Sequence, residues 1–144
     1  MQAYVADASV ILKWVAGRDN EADHDKAMDL LNAWVEGKIE LLAPALWQYE
    51  VGNFLGRELP QDAFKTMELL ENLGFQSIGL TRAMCRRCFK WMAESKVAFY
   101  DASYLAVAVA MNAVLVTADE KFVKKMKTHE HIRLLKDLSL TADL

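Results

Sequence analysis

Short apolar runs alternate along this chain with longer stretches whose apolar residues recur every three or four positions. Gln2 to Ala6 predicts a strand, running into Asp7-Ala8-Ser9 and a short helix through Trp14. Asn20 is placed to cap a second helix, with Glu21, Asp23 and Asp25 near its positive end. Ala27, Leu30, Leu31, Trp34 and Val35 recur there at helical spacing, and Gly37 predicts the stop. Ile39 to Ala43 predicts a second strand, after which Pro44 opens a helix from about Ala45 to Arg57. Gln61 to Leu73 predicts a helix with Phe64, Met67, Leu70 and Leu73 on one stripe and Gly74 after it. Phe75 to Leu80 predicts a third strand, and Thr81 caps a helix to about Ser95. Tyr100-Asp101 opens a very apolar helix extending to Met111, and Val114 to Thr117 is a fourth strand. Asp119 then starts a basic helix, and Ile132 to Leu135 reads as an edge strand.

Short apolar strands separated by helices predict an α/β fold, with a short parallel sheet between helical layers. Open sheets of this kind bind ligands beyond the carboxyl ends of their strands. Asp7 and Asp119 each follow a predicted strand end, so the pattern offers two acids to one edge of the sheet.

Bulk properties narrow the class. The 144 residues are 53% apolar and 26% charged, with two prolines, six glycines and no low-complexity stretch. That predicts one domain over residues 1–144, with no linker and no internal repeat. A formal net charge of −3 argues against a general nucleic-acid coat protein, which needs a basic face to displace counterions. It leaves room for a nuclease, in which clustered carboxylates lower the net charge and bound cations reverse it locally. Met1 to Ala6 lacks the pattern of a signal peptide. Ala102 to Val116 is too short to span a bilayer and contains Asn112. The expected location is therefore cytoplasmic. Cys85 and Cys88 fit a reducing compartment and lack the second pair that a zinc site needs. The tryptophans at 14, 34, 47 and 91 are expected in the core, and His129 and His131 on the surface.

Two more acids complete the candidate chemistry. Glu50 and Asn53 are three apart and share a helix face flanked by Leu46 and Phe54. Asp101 leads into Ala102 to Ala110, a stretch apolar nearly all round and so expected to be central. Each acid alone reads as an ordinary turn or capping residue. Four of them at two strand ends and on two apolar helices predict a cluster, and clustered carboxylates need a cation. An all-oxygen set favours Mg²⁺ or Mn²⁺ over zinc. Basic side chains form two groups, Arg82, Arg86, Arg87 and Lys90 on one helix, and Lys121, Lys124, Lys125 and Lys127 after Asp119. Either group is able to hold phosphates, and the one beginning beside Asp119 is better placed.

The segments Val5-Ala6-Asp7-Ala8-Ser9, Glu50-Val51-Gly52-Asn53, Tyr100-Asp101-Ala102-Ser103-Tyr104-Leu105-Ala106 and Leu115-Val116-Thr117-Ala118-Asp119-Glu120-Lys121-Phe122 carry a resemblance. In that order they resemble the PIN-domain ribonucleases, and among them the VapC-like toxins of toxin–antitoxin pairs. The resemblance implies a three-layer α/β/α sandwich and a Mg²⁺- or Mn²⁺-dependent endoribonuclease. It places Asp7, Glu50, Asp101 and Asp119 at the metal, with Asp7 as its central ligand. Ser9, Thr117 and Asn53 are implied as polar residues beside them. It further implies an RNA substrate, a homodimer, and a small antitoxin whose C-terminal segment blocks the site. Gly52 departs from the alanine common there, weakening the helix by up to about 1 kcal/mol. The competing reading is a catalytically silent PIN-like module that acts only by binding a protein partner. A haloacid-dehalogenase-like phosphatase needs a second Asp where Ser9 stands. A receiver domain needs a phospho-accepting Asp after the third strand, where this chain has Leu80-Thr81-Arg82.

Overall fold

All five expected strands form in the computed structural model, which describes residues 1–16, 21–127 and 129–140. They are β1 (Ala3–Ala6), β2 (Glu40–Pro44), β3 (Gln76–Ile78), β4 (Val114–Thr117) and β5 (Ile132–Leu134). Every pairing is parallel, and the order across the sheet is β3-β2-β1-β4-β5. Between them run α1 (Ala8–Val15), α2 (His24–Val35), α3 (Leu46–Glu58), α4 (Ala63–Asn72), α5 (Arg82–Ser95), α6 (Phe99–Ala110) and α7 (Glu120–Lys125).

Alternation along the strands separates two cores. Tyr4 and Ala6 of β1 pack with Ile11, Leu30, Trp47, Leu55 and Leu70, which come from α1 to α4. Ala3 and Val5 face the other way, onto Met84, Cys88, Trp91, Leu105 and Phe122 of α5, α6 and α7. Because β1 is buried on both faces, it carries four apolar residues in a row instead of an apolar–polar alternation. The product is a three-layer α/β/α sandwich. Ala102 to Ala108 of α6 are all buried, which explains a helix apolar nearly all round.

The topology also sets where a site can form. From β1 the chain continues to β2 on one side, and later returns to β4 on the other. A crevice opens where strand order reverses in this way, beyond the carboxyl ends of β1 and β4. The register pairs Ala6 with Val116, so Asp7 stands next to Thr117 at that crevice.

Several local expectations shift. Asn20 lies outside the described residues, and α2 begins at His24, after Asp23 in a left-handed conformation (φ 64°) that makes no side-chain cap. Its end follows the expectation: Gly37 (φ +72°) donates to the Trp34 carbonyl while Lys38 donates to that of Ala33. That is a Schellman ending, in which the left-handed residue favours glycine. In α4, Phe64 is 81% exposed and does not join the buried stripe. Only Gln76 to Ile78 of the expected third strand pair with β2. His129 and His131 are both half-buried instead of lying on the surface, with His131 Nδ1 2.8 Å from the Ala113 carbonyl.

Trp47 and Trp91 are buried in the core, while Trp14 and Trp34 are half-buried against it. Trp14 and Trp47 meet Phe75 at 6.1 and 4.9 Å, and their indole N–H groups donate to Ala27 O and Ser77 Oγ. Cys85 and Cys88 lie within α5, and burial pushes the Cys88 thiol up to about 11, so it stays protonated at neutral pH. Among the described residues no helix is long and apolar enough to cross a membrane.

Gly52 sits where α3 approaches α4, and a Cβ there would stand 3.2 Å from Met67 Cε. That atom is the free end of a flexible side chain, which can move aside. Gly52→Ala is therefore expected to stabilise the fold by up to about 1 kcal/mol, raising Tm by roughly 2–4 °C. A drop in Tm on thermal melting would mean that Met67 cannot yield.

Candidate active site

Strand ends and helix starts coincide at the crevice, and this positions two acids. Asp7 leaves β1 and caps α1, its Oδ1 accepting from the Val10 amide at 3.2 Å. Asp119 follows β4 and caps α7, accepting from the Phe122 amide at 3.0 Å. Both carboxylates thus sit at positive helix ends, where an acid is favoured on local grounds alone.

Two hydroxyls hold the crevice together. Ser9 Oγ donates to Asp7 Oδ1 and accepts from the Ala118 amide at 3.1 Å, joining the ends of β1 and β4. Thr117, buried in the sheet, accepts from the Asp119 amide at 3.0 Å. Both hydroxyls also act to lower the Asp7 pKa.

Asp101 approaches from the first turn of α6. Together with Asp7, Asp119, Tyr104, Leu115, Thr117 and Phe122 it lines a cleft of about 10 Å³, room for one water-sized body. Glu50, on α3, does not line this cleft but accepts from Tyr104 Oη, which does, at 2.6 Å.

The electrostatics are those of acids crowded in a poorly solvated place. Burial raises the Asp7 pKa to about 6 against the hydrogen bonds of Ser9, Thr117 and Val10, and Asp101 adds to the rise. Asp101 is raised as well, by burial first and then by the charges of Asp119 and Glu50, while Lys125 pulls the other way. Burial also drives the Tyr104 phenol upward, and the Glu50 carboxylate reinforces this, so Tyr104 remains a hydrogen-bond donor. Asp7 and Asp101 are thus each raised in part by a neighbouring acid.

Among the described residues, no three His, Cys, Asp or Glu side chains are grouped tightly enough to hold a metal ion as they stand. The donor chemistry still suits a hard divalent cation. The cleft presents carboxylate and hydroxyl oxygens without histidine or cysteine, and two of its acids, Asp7 and Asp101, are raised in part by neighbouring carboxylates.

The remaining candidates are placed less centrally. Asn53 is exposed, with no hydrogen bond to the acids. Lys121 and Lys124 are exposed on α7, and Lys125 reaches the Lys96 carbonyl at 3.2 Å while easing the charge on Asp101. Arg82, Arg86 and Arg87 line a separate shallow depression with Ala83. Tyr104 is the residue that sequence reading passed over as one more member of an apolar helix. The available signal was a polar tip on a helix expected to be buried, three residues after Asp101 and on the same face.

Searching curated proteins finds no match to the chain. Solved structures share the fold at low identity. A toxin–antitoxin complex from Klebsiella pneumoniae superposes with a TM-score of 0.71 at 18% identity, over 94% of this chain and 99% of that one. VapBC2 from Rickettsia felis, bound to a DNA fragment from its promoter, gives 0.69 at 12% over 92% and 98%. Mycobacterium tuberculosis VapC20, a toxin that cleaves the sarcin–ricin loop, gives 0.61 at 13% over 84% and 94%. The sequence profile of the PIN domain matches residues 4–127, most of the chain. On that match, and with the fold in agreement, the chain belongs to the PIN domain family.

Proposed function

We propose that this protein is a Mg²⁺- or Mn²⁺-dependent endoribonuclease and the toxin of a toxin–antitoxin pair. The observation that carries the reading is the meeting of Asp7, Asp101 and Asp119, from three separate elements, on one small cleft where the strand order reverses. A stable fold does not need three acids there, since each raises the free energy of ionising another.

Asp7, Glu50, Asp101 and Asp119 would hold the cation, which supplies Lewis acidity at a phosphate oxygen and lowers the pKa of a bound water. The chain's own residues do the rest. Ser9 and Thr117 keep the Asp7 carboxylate fixed between the two central strands. Asp7, its pKa raised to about 6 by burial, would be favoured in its ionised form by a cation held in the cleft. In hydrolysis the water oxygen bonds to phosphorus and gives up one proton, while the ester bond to the leaving oxygen breaks and that oxygen takes up one.

Lys121, Lys124 and Lys125 are assigned to RNA phosphates on the flank of the cleft, with Arg82 and Arg86 holding phosphates farther along the strand. Removing one phosphate-binding side chain should lower the salt slope of single-stranded RNA binding by about 0.7. Lys121→Ala/Lys125→Ala is expected to lower it by roughly 1.4, more than Arg82→Ala/Arg86→Ala does. Titration of labelled RNA at several salt concentrations checks this, and the reverse order would move the RNA path to α5. The class of the solved neighbours points to a small antitoxin protein as partner, and family resemblance to a homodimer. A cytoplasmic location accords with these assignments.

The deciding test is incubation of purified protein with labelled single-stranded and structured RNA, in Mg²⁺, in Mn²⁺ and in EDTA. Cleavage in either metal and none in EDTA is the expected result. No cleavage of any RNA, with no Mn²⁺ binding, would leave the silent binding module.

A further inference from the structure

We infer that Tyr104 is a positioning residue, holding Glu50 at the edge of the acidic cleft; the inference rests on the nuclease reading above. Tyr104 is 3% exposed on a helix otherwise buried by apolar side chains. Packing alone would be served there by phenylalanine, and a buried phenol needs a partner for its hydroxyl. Its partner is Glu50 Oε1, at 2.6 Å and 54 residues away in sequence.

Geometry gives that bond a role beyond satisfying the phenol. Tyr104 lies three residues after Asp101 on α6, so the two share a face and both line the cleft. Glu50 comes from α3, which packs mainly in the opposite layer through Trp47, Val51 and Leu55. The bond therefore spans from one helical layer to the other around the carboxyl ends of the strands. It also acts against a force, because Glu50 and Asp101 are like-charged carboxylates brought towards one site from α3 and α6. A half-buried glutamate with three rotatable bonds relieves such repulsion by turning to solvent unless something holds it. Tyr104 engages Oε1, and Oε2 has no hydrogen bond among the described residues, so one oxygen is restrained while the other stays open to a cation.

The test compares Tyr104→Phe, Glu50→Ala and the double variant with the wild type, in Mn²⁺ binding by calorimetry and in the Mn²⁺ dependence of RNA cleavage. Circular dichroism and thermal melting in EDTA establish that Tyr104→Phe is folded, as its nearly unchanged volume predicts. Loss of an orienting partner typically weakens metal binding 10- to 100-fold, so Tyr104→Phe is expected to bind Mn²⁺ about 10-fold more weakly. Its cleavage should recover at high Mn²⁺, and the double variant should bind no more weakly than Glu50→Ala. Wild-type Mn²⁺ affinity in a folded Tyr104→Phe protein, or losses that add in the double variant, would overturn the positioning role and leave the nuclease reading intact. A wild type that neither binds Mn²⁺ nor cleaves RNA would overturn both.

Discussion

Asp7→Asn should reduce RNA cleavage by about 10³-fold or more while leaving the fold in place, an effect of roughly 4 kcal/mol on the barrier. The substitution is close to isosteric and keeps the local architecture. Asparagine is as good a helix N-cap as aspartate, and its carbonyl oxygen can still accept from the Val10 amide and the Ser9 hydroxyl. What disappears is the negative charge at the centre of the crevice, beside the ends of both central strands. Asp101→Asn should behave similarly, because it removes the acid that α6 brings to the same cleft. Asn53→Ala is the control, since Asn53 is exposed and bonded to none of the acids. Single-turnover cleavage of one labelled RNA at saturating Mn²⁺, run on all three variants, decides the matter. Asp7→Asn cleaving at the wild-type rate would remove these carboxylates from the chemistry.

Much of this architecture is legible in the chain because burial on two sides leaves a plain trace. β1, β4 and α6 are runs of apolar residues, and a run apolar on every face has only the centre of the molecule to occupy. Asp7 and Asp119 are visible for a related reason, as polar residues at the points where such runs stop. What fails to show is whatever depends on a partner far away in sequence. Phe64 carries the right spacing for a buried stripe, yet α4 buries Leu70 and leaves Phe64 in solvent. The segment from Phe75 to Leu80 pairs with β2 only through Gln76 to Ile78, a limit that local spacing does not show. His131 finds the Ala113 carbonyl only once β5 has docked on β4. Tyr104 and Glu50 meet although α6 and α3 belong to opposite layers, which no local pattern records. The electrostatic state of the acids is likewise a property of the assembled crevice, and it governs the stability of the fold.

In EDTA, the stability of the protein should carry a contribution from Asp7 that is lost as pH rises from about 4 to 6. The unfolded carboxyl titrates near 3.8 and the folded one near 6, because burial disfavours its charge. Below 3.8 both states hold the proton and the contribution is complete. Between the two values the unfolded chain ionises while the folded chain still binds its proton, so unfolding gains ground. Above 6 the folded state carries the full penalty of a buried charge, on the order of 2–3 kcal/mol for a shift of this size. Asp101 is raised too and works in the same direction. Asp7→Asn has no proton to lose there, so its Tm at pH 7 in EDTA should exceed that of the wild type by about 5 °C, with the gap closing near pH 4. Mn²⁺ should reverse the order, because it stabilises the folded wild type by mass action and has a weaker hold on the variant. Melting curves at pH 4, 5, 6 and 7, with and without Mn²⁺, measure both effects. A variant no more stable than the wild type at pH 7 in EDTA would show that the Asp7 charge is well solvated in the folded protein. A gap at pH 7 that Mn²⁺ closes would identify the destabilising charge with the metal-binding one, so that the acids which weaken the empty fold are those that let it grip a cation.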